Sequence, residues 1–375
     1  MREDLFGDFS LYIHIPFCKS KCAYCDFLSF ADHSAMDAYF EALCAEIKKK
    51  GHKYPRKVNN IYIGGGTPSI AFSYFSKLKE AVFSSFDVDP NAEISIECNP
   101  ESVSREFVFA AKDFGVNRVS VGVQSLSDRL LRRIGRAHDA QTARNALALL
   151  TKEFPRVNAD VMVGLPEEQE IDVRGTLSEL LTYDLSHVSC YSLILERGTR
   201  LFCEAKEGLF VPDEDHAVAM YDLACDMLAE KGFSRYEISN FAKEGEACRY
   251  NLSVWQYADY LGLGLGASSF IKREVSFFGR RYRAVASMER YISGARAKSE
   301  RVTLSDGKEE FIMLGLRLAM GLNVRCFNAL FDADFLSEYA EKLKKLSAFL
   351  NVTDSFVGIK PEHIYISNSI ISELI

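Results

Sequence analysis

From Leu11 to about Leu193, short apolar runs alternate with longer stretches of helical periodicity. The runs are Leu11–Ile15, Asn60–Ile63, Glu93–Glu97, Arg118–Val123, Asn158–Val163 and His187–Leu193. Between them the spacing of apolar positions predicts helices near Met36–Lys50, Tyr74–Ser85, Arg105–Phe114, Ala140–Lys152 and Gly175–Tyr183. Strands that alternate with helices form β/α units and a parallel sheet, because a parallel connection needs a crossover long enough to hold a helix. Further on, a helix is expected over Asp213–Lys231, stopped by Gly232, and another over Lys308–Met320 with Gly321 at its end. Phe335–Leu350 reads as one more helix, Phe356–Ile359 with Ile364–Ser367 as a small hairpin, and the last residues as a closing helix.

Directly after the first run comes Cys18-Lys-Ser-Lys-Cys22-Ala-Tyr-Cys25, three cysteines in one loop. Three readings fit it. Three thiolates this close can hold three irons of a 4Fe–4S cluster and leave the fourth iron without a protein ligand. A structural zinc site normally takes four ligands from separated pairs, and no second C-x2-C pair occurs, although His14 is available as a fourth ligand. Structural or redox thiols are the third reading; a disulfide would leave one thiol over.

The strand ends carry the other candidate chemistry. Gly64-Gly65-Gly66-Thr67-Pro68 follows the second run, and glycine allows either a tight turn or close approach of backbone to a ligand. Glu97 ends the third run before Asn99-Pro100, where a carboxylate is placed to accept bonds from hydroxyls. Gln124 ends the fourth, Asp160 lies in the fifth, and the forked guanidinium of Arg136 suits a carboxylate. Seen alone, each reads first as an ordinary surface or capping group, since loops carry solvent as well as sites.

At 375 residues and 48% hydrophobic, the chain buries a large core in two or three domains. The seven cysteines outside the loop (ten in all) have no framework spacing and fit reduced, mostly buried thiols of a cytoplasmic protein. Met1–Ser10 shows no secretory pattern, and no run approaches about 18 uninterrupted apolar residues, so no integral membrane protein is expected. A formal net charge of −7 argues against a nucleic-acid partner.

The run Tyr12-Ile-His-Ile-Pro-Phe-Cys18-x3-Cys22-x-Tyr24-Cys25 resembles the cluster loop of the radical S-adenosylmethionine (SAM) superfamily, in the branch of the oxygen-independent coproporphyrinogen III oxidases and the HemW haem chaperones. The resemblance implies an α/β fold: a partial (β/α)6 TIM-like barrel, then a smaller α+β C-terminal domain of winged-helix-like type. On this pattern residues 1–200 form the barrel with the cluster loop, 201–300 an extension that completes the core, and 301–375 the C-terminal domain. It further implies Cys18, Cys22 and Cys25 as cluster ligands, and SAM chelating the open iron and yielding a 5′-deoxyadenosyl radical on reduction. The family's SAM contacts map onto Tyr12, Tyr24 (near the adenine), Gly65, Gly66, Thr67, Glu97, Gln124, Arg136 and Asp160.

Two function classes share that scaffold: an enzyme oxidatively decarboxylating coproporphyrinogen III in porphyrin biosynthesis, and a carrier binding haem and delivering it to apo-haem proteins. An electron donor such as flavodoxin is the implied reductant. Phe27 stands where the oxidases carry a fourth cysteine, only eleven residues precede Tyr12 where they carry a long segment, and Tyr236–Ala242 and Asn251–Ala267 resemble HemW. These features favour the carrier. Against them, Tyr250, Val254 and Ser268 replace the His, Tyr and His of the HemW pattern. Tyrosine and thiolate both ligate haem iron, which makes Tyr250 and Cys248 the candidate haem ligands.

Overall fold

The computed structural model describes residues 8–272 and 278–375; most of Met1–Ser10, read above for a secretory signal, lies outside them. Six parallel strands run side by side in chain order: β1 (Ser10–Ile15), β2 (Lys57–Gly65), β3 (Asp87–Cys98), β4 (Arg118–Gln124), β5 (Val157–Val163) and β6 (His187–Ser192). β6 does not pair back to β1, so the barrel is open. Beyond β6 the sheet adds β8 (Asn240–Ala242) and β7 (Ser234–Arg235), both antiparallel. Beyond β1 it adds β9 (Tyr260–Leu263) in parallel, then β10 (Ser268–Lys272), β11 (Gly279–Arg283) and β12 (Lys298–Val302) as an antiparallel ribbon.

The strands are amphipathic in an unusual sense. Leu11, Ile13, Ile61, Ile63, Ile96, Val119, Val121, Ala159, Val161 and Val188 belong to one continuous core beneath the outer helices. The alternate positions are polar and look into the barrel. Glu97 neighbours Ser120, Ser120 neighbours Asn158, and Asp160 neighbours Ser189 across the ladders. A barrel interior filled with branched apolar side chains is a solid core. This one is lined with hydrogen-bonding groups and keeps a cavity of about 280 Å³.

The short helix Arg249–Trp255 closes the N-terminal end of the barrel. Its Arg249 N–H donates to Glu93 Oε1 (2.9 Å), and Ser253 Oγ meets Ser10 Oγ at 3.0 Å. A second, aromatic core (Phe311, Phe327, Phe331, Phe335) supports a three-stranded antiparallel sheet of β13 (Leu322–Asn323), β15 (Phe356–Ile359) and β14 (Leu350–Val352).

Four expectations need correction here. The helix expected over Lys308–Met320 spans Leu304–Gly315: Thr303 and Asp306 cap it reciprocally, and Gly307 sits inside it because a Cβ there would come within 2.5 Å of the Phe278 ring. Phe335–Leu350 is two short helices, Phe335–Glu338 and Ala340–Lys345, parted at Tyr339, which leaves helical geometry (φ −105°, ψ 13°) with its ring stacked on Phe335. The C-terminal hairpin pairs β14 with β15 through a turn held by Thr353 Oγ1, which accepts from Phe356 N at 2.9 Å. Ile364–Ile366 instead continues a 3-10 turn begun by Pro361. The helix expected from Gly175 starts at Glu170, where Gln169 and Asp172 form a capping box.

Phe327 is fully buried and packs on Phe311, Phe331 and Phe335 at centroid distances of 5.7, 4.7 and 4.9 Å. Phe327→Ala is expected to cost about 3–5 kcal/mol in denaturant unfolding; a loss under about 1 kcal/mol would contradict this packing.

Candidate functional site

The cysteine loop leaves β1 at Pro16 and is clamped from both sides by backbone bonds. Cys18 N donates to Phe30 O (2.9 Å) and Phe30 N to Pro16 O (2.7 Å), which closes the loop on itself. Gly66 N donates to Ile15 O (2.9 Å) and Thr67 N to Phe17 O (2.7 Å), tying the loop to the end of β2. Ala23 bridges to the far side through Ile134 O and Leu201 N. All three thiols are half-buried, and the other cysteines are free as well.

The glycine run is required by close packing. A Cβ on Gly66 would meet Phe17 O at 2.6 Å and Cys18 Sγ at 3.0 Å, and one on Gly64 would meet the Glu97 carboxyl at 2.9 Å. Gly65 holds φ +121° with the His14 ring 2.6 Å from where its Cβ would be. The turn therefore brings bare backbone against the loop, with Gly65 and Gly66 facing the cavity.

His14 is not available as a fourth ligand. Its Nε2 lies 3.0 Å from Leu28 O, an acceptor, so Nε2 carries the proton and Nδ1 accepts from Tyr12 O–H at 2.9 Å. Among the described residues, no three His, Cys, Asp or Glu side chains converge on a single metal ion. A lone zinc needs such convergence, at about 2.3 Å to each sulfur. A cluster takes one thiolate per iron and suits sulfurs spread along a loop.

Cations and donors surround the thiols. Thr67 Oγ1 donates to Cys18 Sγ and Arg136 Nη1 to Cys22 Sγ, both at 3.5 Å. Asn99 links these two residues, donating to Thr67 Oγ1 (2.8 Å) and accepting from Arg136 Nη2 (2.8 Å). Arg136 Nη2 also donates to Gly122 O, while its buried Nε has no partner. Burial pushes the Cys25 thiol up to about 11 and the Cys18 thiol upward too, and the neighbouring thiols add to both. Three thiolates in that loop need a bound cationic centre to share. The donor set, the glycine approach and the orphaned guanidine nitrogen together fit a 4Fe–4S cluster held by Cys18, Cys22 and Cys25.

The cavity runs from the loop down the barrel axis. Of the residues expected to contact SAM, Tyr24, Gly65, Gly66, Glu97, Gln124, Arg136 and Asp160 line it. Thr67 stands behind Cys18. Tyr12 lies outside the lining, stacked with Tyr62 and Tyr250 at 6.3 and 6.2 Å between centroids. Glu97 accepts from Tyr62 O–H and Gly65 N, both at 2.9 Å. Asp160 accepts from Ser120 Oγ (3.2 Å) and Asn158 Nδ2 (2.7 Å). Burial raises Glu97 to about 7 and shifts Asp160 upward from its ordinary value against the hydrogen bonds it accepts.

Arg118, Asn158, Ser189, Tyr191 and Asn251 also line the cavity and were not singled out from the sequence. The signal was present: polar residues at every second position of consecutive strands. The two candidate haem ligands are poorly presented. Tyr250 is wedged 4.9 Å from the Tyr62 ring, with burial holding its hydroxyl protonated. Cys248 is fully buried, donates to Glu93 Oε1 and is pushed up to about 11 by burial.

A carboxyl with a raised pKa binds its proton more tightly folded than unfolded, so its contribution to stability falls as pH rises from about 4.5 to about 7. Glu97→Gln removes that dependence. The variant's stability relative to the parent is expected to improve by about 2 kcal/mol between about pH 5.5 and about pH 8 in denaturant unfolding. A pH-independent difference would contradict the burial described.

A family model described as the radical SAM superfamily matches residues 12–180. Over 345 residues the chain is 33% identical to "Heme chaperone HemW" of Lactococcus lactis, covering 90% of this chain and 89% of that one. The Synechocystis protein of the same name is 33% identical over 395 residues, covering 97% and 95%. Among solved structures, coproporphyrinogen III oxidase (HemN) from Escherichia coli superposes with a TM-score of 0.84 at 20% identity, covering 99% of this chain and 90% of that one, which is a likeness of fold. The chain belongs to the radical SAM superfamily, in the HemN-like branch and near the HemW proteins.

Proposed function

We propose that the chain binds a 4Fe–4S cluster at Cys18, Cys22 and Cys25, takes SAM in the cavity beside it, and binds haem for delivery to apo-haem proteins. The observation that carries the haem reading is Phe27. It is 64% exposed, lines the cavity mouth, and stands where a fourth loop cysteine would be. A large apolar ring held in solvent offers a face to a flat apolar ligand. Ile194, also well exposed, lies between Leu193 and Leu195, which like Tyr24 pack against the small core of Ala23, Leu130 and Leu201. The near full-length likeness to proteins named haem chaperones supports the same reading.

When bound and reduced by a donor such as flavodoxin, the cluster supplies an electron to SAM. The chain's own part is to bind and shield. Gly65 and Gly66 bring backbone to the ligand, Glu97 and Asp160 offer acceptors, and Arg136 balances charge beside Cys22. With Tyr250 and Cys248 engaged elsewhere, haem rests on apolar contact or on a ligand outside that helix. A second reading, oxidative decarboxylation of coproporphyrinogen III, is favoured by the depth and polarity of the cavity.

An anaerobic haem titration of the reconstituted chain, followed by its Soret absorption and by transfer to an apo-cytochrome, tests the proposal. Haem is expected to bind without turnover of coproporphyrinogen III. Phe27→Ala should weaken binding by about ten-fold, the worth of burying part of an aromatic ring. Carbon dioxide release from coproporphyrinogen III, with no haem uptake, would overturn the carrier reading in favour of the second.

A further inference from the structure

Outside the barrel, a second cavity of about 450 Å³ opens between the helix Met36–Lys53, strands β9, β10 and β11, and the short helix Met288–Ile292. It shares no lining residue with the cavity below the cysteine loop. Its walls are Leu261, Ile292 and the rings of Tyr54, Tyr282 and Tyr291. Tyr291 is buried, with its ring 5.3 Å from that of the fully buried Tyr39, so this wall is set before anything binds.

Glu46 is the acid that lines the cavity, and its charge is spent on the frame. One oxygen accepts from Gly264 N (2.9 Å) and from Tyr291 O–H (2.7 Å). The other pairs with Lys50 at 2.8 Å, and Lys50 also donates to Gly262 O (2.8 Å). Lys49, Lys53 and Arg296 complete the lining from exposed positions. Among the described residues, these three cations pair with no carboxylate within 4 Å. The Lys53 ammonium lies over the Tyr54 and Tyr282 rings instead, at 5.1 and 5.5 Å. The chain as a whole carries a formal charge of −7, so this is a local field of the opposite sign around an aromatic hollow.

We propose that this cavity is a binding site for a flat aromatic body that carries an acidic group at its edge. Its volume falls in the range of small-molecule sites, about 300–1,000 Å³. The ring would enter among the tyrosines, where offset and edge-to-face contacts are favourable and apolar area leaves water. The acidic group would stay at the mouth beside Lys49, Lys53 and Arg296, still partly hydrated, so that no charge has to be buried. An inorganic anion would gain only screened attraction at exposed cations, and a neutral ring would gain only burial. The proposal does not depend on the cluster, on SAM or on haem.

The test is a fluorescence titration of the reconstituted, SAM-saturated chain with anilinonaphthalenesulfonate, an aromatic anion that brightens when it leaves water. Its neutral counterpart N-phenylnaphthylamine, pyrophosphate and laurate serve as comparisons at matched ionic strength. The aromatic anion is expected to bind, and to bind more weakly as salt is raised. Lys49→Gln and Arg296→Gln should each weaken it by about three-fold, and together by about ten-fold, while leaving the neutral ring unaffected. Ala45→Trp, which grows into the cavity from an exposed position on the helix, should weaken both by about ten-fold or more. Cluster content and SAM uptake report whether each variant folds; if one does not, the salt dependence and the neutral comparison in the parent chain decide. Absent binding, displacement by pyrophosphate, laurate binding as tightly as the aromatic anion, or an affinity unchanged in folded Ala45→Trp would each overturn the proposal. Because haem is not used, failure here is separate from failure of the carrier reading.

Discussion

Everything in the upper half of the molecule depends on how the end of β2 is pressed against the cysteine loop. Gly66 N and Thr67 N reach back to Ile15 O and Phe17 O, and only bare backbone fits the gap. That contact sets where Cys18 points, and Thr67, Asn99 and Arg136 extend it as a chain of hydrogen bonds to Cys22. Two thiols are thereby fixed from one side by a hydroxyl and from the other by a cation. The loop is ordered by its neighbours before any metal is considered, which is the arrangement a reactive cofactor needs.

Below the loop the physics is inverted relative to a solid β/α barrel. Outward positions of β1–β6 carry the apolar core, and inward positions carry Glu97, Arg118, Ser120, Asn158, Asp160 and Ser189. Polar groups taken out of bulk water must be paired, and most of these are: Asn158 alone bonds Ser120, Asp160, Ser189 and His187. The helix Arg249–Trp255 then seals the bottom through Glu93 and Ser10. The cost of a polar interior is met largely by a connected network, with the buried Nε atoms of Arg118 and Arg136 left without hydrogen-bond partners.

Much of this was readable along the chain. β/α alternation placed the six strands, and the spacing of Cys18, Cys22 and Cys25 marked the loop. Glu97, Gln124, Arg136 and Asp160 stood out by falling on or just after strands, and the fold brings them to one cavity. Arg118 and Asn158 escaped because alternation of polar and apolar residues reads the same whether the polar face meets solvent or a barrel interior; the number of strands sharing it was the missing clue. Tyr12 and Tyr250 are separated by most of the sequence and meet only because the sealing helix returns under β1. The helix expected from Lys308 begins at Leu304 and takes in Gly307, since only the fold reveals that the Phe278 ring needs the space a side chain there would fill.

The central claim is that three thiolates hold a cluster with one iron left open. Mössbauer spectroscopy of the chain reconstituted anaerobically with iron-57, recorded with and without SAM, tests it most directly. A 4Fe–4S spectrum in which one iron shifts on adding SAM while the others do not is the result expected. Zinc retained in place of iron, or a cluster whose irons all ignore SAM, would contradict it.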